Sequence, residues 1–173
     1  SILFADIVNF TPQSTLLNPN ELVIILNEVF SIFDDLSTSY NIEKIKTIGD
    51  SYFAVGGLNG DSKQSAINLV LMAKEMVKKL RTLNERIDKM DLQLRIGVHC
   101  GDVVTGVIGK HKFAYDLWGA AVNFASRMES TSESGKIHIS ENLHKLIKEH
   151  FRFIKRKGLK VKGVGNIDSY FVE

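Results

Sequence analysis

Residues 42–57 constrain this chain more than any other stretch, because they hold two β-rich runs with a turn dipeptide between them. Residues 42–48 and 52–55 are dominated by β-branched and aromatic side chains, and Gly49-Asp50 between them reads as a hairpin turn. A carboxylate at such a tip is exposed and rigidly aimed. Taken alone, Asp50 is explained by the turn, since Asp tolerates turn geometry and bonds its own backbone. A second stretch changes that reading. Residues 2–11 form an almost wholly apolar strand with one carboxylate, Asp6, in its middle. An unpaired carboxylate is costly to bury, so Asp6 needs a partner, a cation or an opening to solvent.

The elements around these two stretches define a fold class. Asn18-Pro19-Asn20-Glu21 reads as a helix start, with Asn as the cap, Pro at the first helical position and Glu three residues after the cap. Leu22, Ile25, Leu26, Val29, Phe33 and Leu36 follow at helical spacing. Asp61 opens a second helix, with Ile67, Val70, Ala73, Val77, Leu80 and Leu83 on its buried stripe. Leu92, Leu94, Ile96 and Val98 then alternate with Gln93, Arg95, Gly97 and His99 as a half-buried strand. Cys100-Gly101-Asp102 turns that strand into residues 103–108. Strand, helix, hairpin, helix, strand is the β-α-β-β-α-β order of an α+β, ferredoxin-like sandwich, with helices packed on a mainly antiparallel sheet and further strands and helices appended. In that arrangement the first strand is expected beside the hairpin's first strand, so Asp6 and Asp50 converge. Two carboxylates at one point repel unless a positive charge lies between them. Mg²⁺ is typically held by one or two carboxylates plus substrate phosphates, so the pair suggests a metal-dependent phosphate site.

Residues 113–130 add a second constellation. Phe113, Tyr115 and Leu117 alternate with Asp116, and Gly119 hands over to a helix on which Asn123 and Arg127, four apart, share a face. One offers an amide and the other a planar fork of donors suited to phosphate. Each alone is explained as part of a wet helix surface. Both beside Asp116, in a chain with a metal-phosphate site, favour substrate contact. Residues 135–139 form a short strand, Ser140 caps a helix bearing Leu143, Leu146 and Ile147, and strands at 151–154, 159–162 and 167–172 close the chain, with turns at Gly158, Gly163 and Gly165.

Composition excludes several classes of function. The 173 residues suit one domain, and a formal charge of +2, with Lys and Arg dispersed among acids, does not build a nucleic-acid or membrane surface. The run Lys155-Arg156-Lys157 with Lys160 and Lys162 is the densest basic patch and reads as a solvated strand face. One cysteine, Cys100, rules out an internal disulfide and fits a reducing, cytoplasmic compartment. His99 reads as a surface or supporting residue, and no second His stands at zinc-ligand spacing. There is no Walker A loop and no nucleophile elbow. The chain begins inside its first strand, so a domain cut from a longer protein is expected.

The motifs Phe4-Ala5-Asp6-Ile7-Val8, residues 46–50, residues 115–119 with Val122-Asn123, residues 125–130 and Lys162-Gly163 together resemble the catalytic domain of class III nucleotidyl cyclases of the adenylyl type. The resemblance covers nearly the whole chain. It implies a homodimer or heterodimer, with sites between subunits and neither chain holding a complete set, and a homodimer is the expectation for this chain. Asp6 and Asp50 would bind two Mg²⁺ or Mn²⁺ ions, assisted by the Ile7 carbonyl, with backbone around Phe10 and Thr11 near the phosphates. The other subunit would use Lys46 and Asp116 to read the base, Asn123 to orient the ribose, and Arg127 and Lys162 to meet the triphosphate. The product would be cyclic AMP, and a regulatory domain is expected N-terminal to this segment in the full-length protein, where membrane tethering stays open.

Lys46 and Asp116 favour adenine, which offers an acceptor at N1 and a donor at N6; the guanylyl members of the family typically carry Glu and Cys there. The plainer explanation of Lys46 is a strand lysine at a solvent edge. Two departures stand out: Asn9 occupies a position where the family commonly has Gly, and Val164 replaces a frequent second Lys. Asn tolerates the left-handed backbone region better than most residues. A guanylyl cyclase and a silent nucleotide-binding partner of another cyclase chain are the alternatives.

Overall fold

The computed structural model describes residues 1–15, 17–87, 90–109, 111 and 114–173. In chain order these form β1 (Ile2–Ile7), α1 (Phe10–Ser14), α2 (Pro19–Ser39), β2 (Glu43–Ile48), β3 (Ser51–Val55) and α3 (Ser62–Asn84). There follow β4 (Leu94–His99), β5 (Val104–Ile108), β6 (Ala114–Trp118) and α4 (Ala120–Ser130). The chain ends with β7 (Ile137–Ser140), α5 (Glu141–Ile147), β8 (Phe153–Val161) and β9 (Gly165–Val172). Seven strands make one sheet in the order β2-β3-β1-β4-β7-β9-β8, and β5 and β6 form a separate ribbon. Among the described residues, the β4–β7 pair is the only parallel one in the large sheet. The expected α+β sandwich is what is found. Phe113, expected to open β6, lies outside the described residues.

The strand beside β1 differs from the expectation. β3, the second strand of the hairpin, pairs with β1, and β2 lies on the outer edge. The reason is width. A packed helix is about 10 Å across and a strand takes about 4.8 Å, so α2 carries the chain two strand positions over and the tight turn folds β3 back into the gap. Asp6 still comes beside the hairpin tip, because it pairs with Ser51, the residue after Asp50.

Three boundaries also move. β1 ends at Ile7 rather than at Thr11, because Asn9 takes the left-handed conformation (φ 55°, ψ 32°) and turns the chain into α1. Pro12 sits in the first turn of α1, where a missing N–H costs nothing. The strands expected on either side of Gly158 are one strand, β8, whose register shifts between Arg156 and Leu159; Gly158, at φ 62°, absorbs the irregularity as a bulge instead of breaking the strand. β5 does not fold back on β4 but pairs with β6 alone. The caps follow the sequence: Asn18 and Glu21 form the full capping box of α2, Asp61 accepts from Lys63 and Gln64 N–H groups, and Ser140 accepts from Leu143 N–H.

Side-chain alternation along β1 divides the core. Leu3, Ala5 and Ile7 pack with Val29 and Phe33 of α2, the stripe of α3, and Leu143 and Ile147 of α5. Ile2 and Phe4 point to the opposite face, where they meet Phe53, Leu117, Ala121 and Ala125 beneath α4. Asp6, two residues on from Phe4, belongs to that second face. The α4 backbone runs so close to β4 there that a Cβ built on Gly97 would lie 1.9 Å from Glu129 N. Among the described residues no helix is long and apolar enough to cross a membrane.

His138 ties the end of α4 to the sheet. Its Nδ1 lies 2.8 Å from the Met128 carbonyl and its Nε2 lies 2.8 Å from Ser169 Oγ, which makes it a neutral ring donating to the carbonyl and accepting from the hydroxyl. Burial pushes the imidazole down to about 4, against the pull of the Met128 carbonyl and with help from the Arg156 charge. An unfolded His titrates near 6.5, so the unfolded chain binds the extra proton first as pH falls. The stabilisation from a neutral His138 is complete above pH 6.5 and is lost towards pH 4. Denaturant unfolding of wild type and His138→Gln across this range should show their stability difference shifting by about 3 kcal/mol against wild type. A pH-independent difference would contradict the assignment.

Candidate functional site

The β1–β3 register sets the carboxylate pair. Asp6 Oδ1 accepts a hydrogen bond from Ser51 Oγ at 2.5 Å, and its Oδ2 accepts one from Arg95 Nη2 at 2.8 Å. Asp50, in the turn before Ser51, has its carboxyl pushed up first by burial and then by the Asp6 charge, with its own backbone hydrogen bond and Arg95 pulling the other way. The Asp6 carboxylate therefore lies close enough to act on Asp50. Arg95 Nε also donates to Glu129 Oε1 at 3.1 Å, linking the pair to α4. Glu129 is 9% exposed, and burial, followed by the Asp6 charge, lifts its carboxyl to about 7 against the opposing effect of Arg95.

Lys46 and Asp116 form the second group. Lys46 pairs with Phe53 in the sheet and so faces the α4 side, where its Nζ donates to Asp116 Oδ2 from the β5–β6 ribbon. Burial alone would raise the Asp116 carboxyl, but the hydrogen bonds from Lys46 and from the Leu117 N–H outweigh it and hold the group below the usual carboxylate range. A cation and an anion are thus presented together at a half-open position. Tyr52, fully buried, fixes the hairpin from behind by donating to Asp34 Oδ1 at 2.8 Å, while Lys44 donates to the other oxygen at 2.7 Å.

The remaining candidates lie elsewhere. Asn123 and Arg127 share a face of α4, but that face is opposite to the one formed by Ala121, Ala125, Met128 and Glu129 against the sheet. Both are exposed, and among the described residues neither side chain has a hydrogen-bond or ion-pair partner. Lys162 occupies the exposed β8–β9 turn, at the edge of the sheet opposite the β2–β3 hairpin. The Ile7 side chain is in the core, so only its backbone is available to a ligand. Phe10 and Thr11 begin α1 immediately after the left-handed Asn9. Within one chain the structure brings together Asp6 with Asp50 and Lys46 with Asp116, and directs Asn123 and Arg127 away from the first pair.

Sequence reasoning missed Arg95, Glu129 and Ser51, and misplaced His99. His99 is buried, 2.7 Å from Ser140 Oγ and stacked on Phe124. A signal for these was present in β4. Arg95, Gly97 and His99 alternate on one face, and a glycine amid them marks a close backbone approach rather than a solvated surface.

An α+β sandwich that brings a strand carboxylate to one at a hairpin tip, and sets a lysine–aspartate pair on the same face of the sheet, has the form of a nucleotidyl cyclase catalytic domain. Residues 1–173 match the family model described as the adenylate and guanylate cyclase catalytic domain, and the chain belongs to that family. It is 36% identical over 157 residues to a membrane guanylyl cyclase of Dictyostelium discoideum, covering 90% of this chain and 10% of that protein. It is 37% identical over 172 residues to an adenylate cyclase of Mycobacterium tuberculosis, covering 99% of this chain and 39% of that protein. The guanylate cyclase domain of RhGC from Catenaria anguillulae, solved in complex with GTP, superposes with a TM-score of 0.93 at 32% identity, covering 99% of this chain and 94% of that one. Relatives of both base preferences are therefore present, and the chain spans well under half the length of these two curated relatives.

Proposed function

We propose that this domain is an adenylyl cyclase, converting ATP to 3′,5′-cyclic AMP and pyrophosphate at sites shared between two copies of the chain. The observation that carries the base assignment is the Lys46–Asp116 pair. Adenine presents an acceptor at N1 and a donor at N6, which match a lysine donor and a carboxylate acceptor; guanine presents the reverse pattern. Because each group already satisfies the other, the pair is preorganised before a base arrives.

The orientation of α4 supports the shared site. Asn123 and Arg127 point away from the face that carries Asp6, so a nucleotide bound to the carboxylates of one copy would meet the amide and guanidinium of another. The β5–β6 ribbon exposes Val104, Val107 and Ile108, an apolar surface suited to covering by a second chain. Lys162, at the far sheet edge, fits a role towards the triphosphate across the same interface.

The residues divide the chemistry. Asp6, Asp50 and the Ile7 carbonyl form an all-oxygen donor set of the kind Mg²⁺ or Mn²⁺ prefers, and crowding between the two carboxylates favours cations between them. Bound there, the ions would lower the pKa of the ribose 3′ hydroxyl and steady charge on the α-phosphate. Asn123 holds the ribose so that its 3′ oxygen lies in line with the α-phosphorus, a gain in positioning. Arg127 donates to the phosphoryl oxygens as negative charge builds on them. The new bond forms from the ribose 3′ oxygen to phosphorus, the bond to the β-phosphate bridge breaks, and pyrophosphate leaves without a covalent enzyme intermediate. Phe10 and Thr11 supply backbone beside the phosphates.

The test is turnover of ATP against GTP. The wild-type domain with Mn²⁺ should favour ATP in kcat/KM, and Lys46→Glu combined with Asp116→Cys should move the preference towards GTP. Buried polar mismatches discriminate by 10⁴ to 10⁵, and the partial exposure of this pair scales the expected change to on the order of 10²-fold. Equal use of both nucleotides by wild type would assign the domain to the guanylyl or unselective members of the family. No product from either, even at high protein concentration, would make it a silent partner.

A further inference from the structure

We infer that Arg95 is an internal counter-cation that competes with divalent metal for Asp6, and that Glu129 is a positioning residue that sets the strength of this competition. The inference rests on the metal-binding reading of Asp6 and Asp50. Both oxygens of Asp6 are engaged, one by the Ser51 hydroxyl and one by the Arg95 guanidinium. The hydroxyl can rotate away at little cost, so a metal approaching Asp6 displaces chiefly Arg95. The guanidinium does not depart into solvent when displaced. Its Nε, a different nitrogen of the same planar group from the Nη2 that meets Asp6, is held by Glu129, so release from Asp6 leaves one charged hydrogen bond intact.

Two carboxylates, those of Asp6 and Glu129, thus share one guanidinium, with Asp50 within reach of its charge. Without metal, Arg95 reduces the repulsion between Asp6 and Asp50 across the β1–β3 register. With metal, Glu129 is the partner to which Arg95 retires. Glu129 is fixed in turn because α4 lies against β4 at Gly97, two residues from Arg95 on the same strand face. The device makes metal binding and the position of a guanidinium one coupled event.

The experiment is Mn²⁺ binding to the nucleotide-free domain, followed by loss of the free-ion electron paramagnetic resonance signal, in four proteins: wild type, Glu129→Gln, Arg95→Met and the double variant. Arg95→Met with Glu129→Gln removes the cation together with the carboxylate that positions it, leaves Asp6 with the Ser51 hydroxyl alone, and should bind Mn²⁺ on the order of tenfold more tightly than wild type, as expected for removing one cation in contact with the ligand. Glu129→Gln alone should bind severalfold more weakly, because Arg95 then rests wholly on Asp6. In the Arg95→Met background the same Glu129→Gln change should have little effect, which separates action through Arg95 from a general loss of negative charge. If Arg95→Met does not fold, the double variant and Glu129→Gln still move in opposite directions from wild type. Asp6→Asn is the control for the underlying site. Binding lost in Asp6→Asn but not tightened in the double variant would overturn the competition while leaving the metal site standing. Binding unchanged in Asp6→Asn would overturn the metal site itself.

Discussion

Mixing Asp50→Ala protein with Asn123→Ala protein should restore cyclase activity to about one quarter of the wild-type value, although each variant alone should be nearly inactive. Random pairing makes half of the dimers mixed, and in each of those one site combines the intact carboxylates of one copy with the intact α4 of the other. The single losses are large because both residues act through charge and position. Removing one preorganised electrostatic group commonly costs about 10² to 10³ in rate. The geometry behind the expectation is the direction of α4: its buried face carries Glu129 towards Arg95 and Asp6, and Asn123 lies on the opposite face. A monomeric site would give no rescue. Two inactive variants that stay inactive, with mixed dimers demonstrated by native mass spectrometry, would contradict the shared site.

Gly97→Ala should be among the most damaging single changes in the chain. An added Cβ would sit 1.9 Å from Glu129 N and 2.5 Å from both Glu129 Cα and the Met128 carbonyl carbon, all backbone atoms that no rotamer change can move. The helix must lift off the sheet, which opens the packing of Ala125 and Met128 and the Arg95–Glu129 contact. A loss of about 4 kcal/mol or more is expected, lowering Tm by about 10 °C in a domain of this size. Cyclase activity should fall with it, because α4 carries Asn123 and Arg127. Gly60→Ala is the control, since nothing lies within 4 Å of its added Cβ, and it should change Tm by no more than a degree or two. A Gly97→Ala protein with wild-type Tm would mean that α4 is not seated as described.

Local patterns in the chain were enough to locate most elements. The Asn18 to Glu21 capping box, the Asp61 and Ser140 caps and the two helical stripes each depend on residues within a turn or two of one another, so spacing alone reveals them. The left-handed tolerance of Asn9 was likewise visible, and the structure uses it to end β1. The neighbour of β1 was not visible, because the choice between β2 and β3 depends on the width of α2 lying across the sheet. What covers Arg95 was not visible for a similar reason. Alternation says which residues share a face but not what covers it, and α4 arrives from 25 residues and more along the chain.

The sequence by itself determined the α+β sandwich, the caps, and which acidic, basic and amide side chains are available for nucleotide chemistry, since these follow from periodicity and residue type. Only the tertiary structure decided which of them meet. It set Arg95 between Asp6 and Glu129, joined Lys46 to Asp116, and turned Asn123 and Arg127 outwards. Contacts between residues distant in sequence depend on strand order and helix seating, and those are properties of the packed whole rather than of any window of residues.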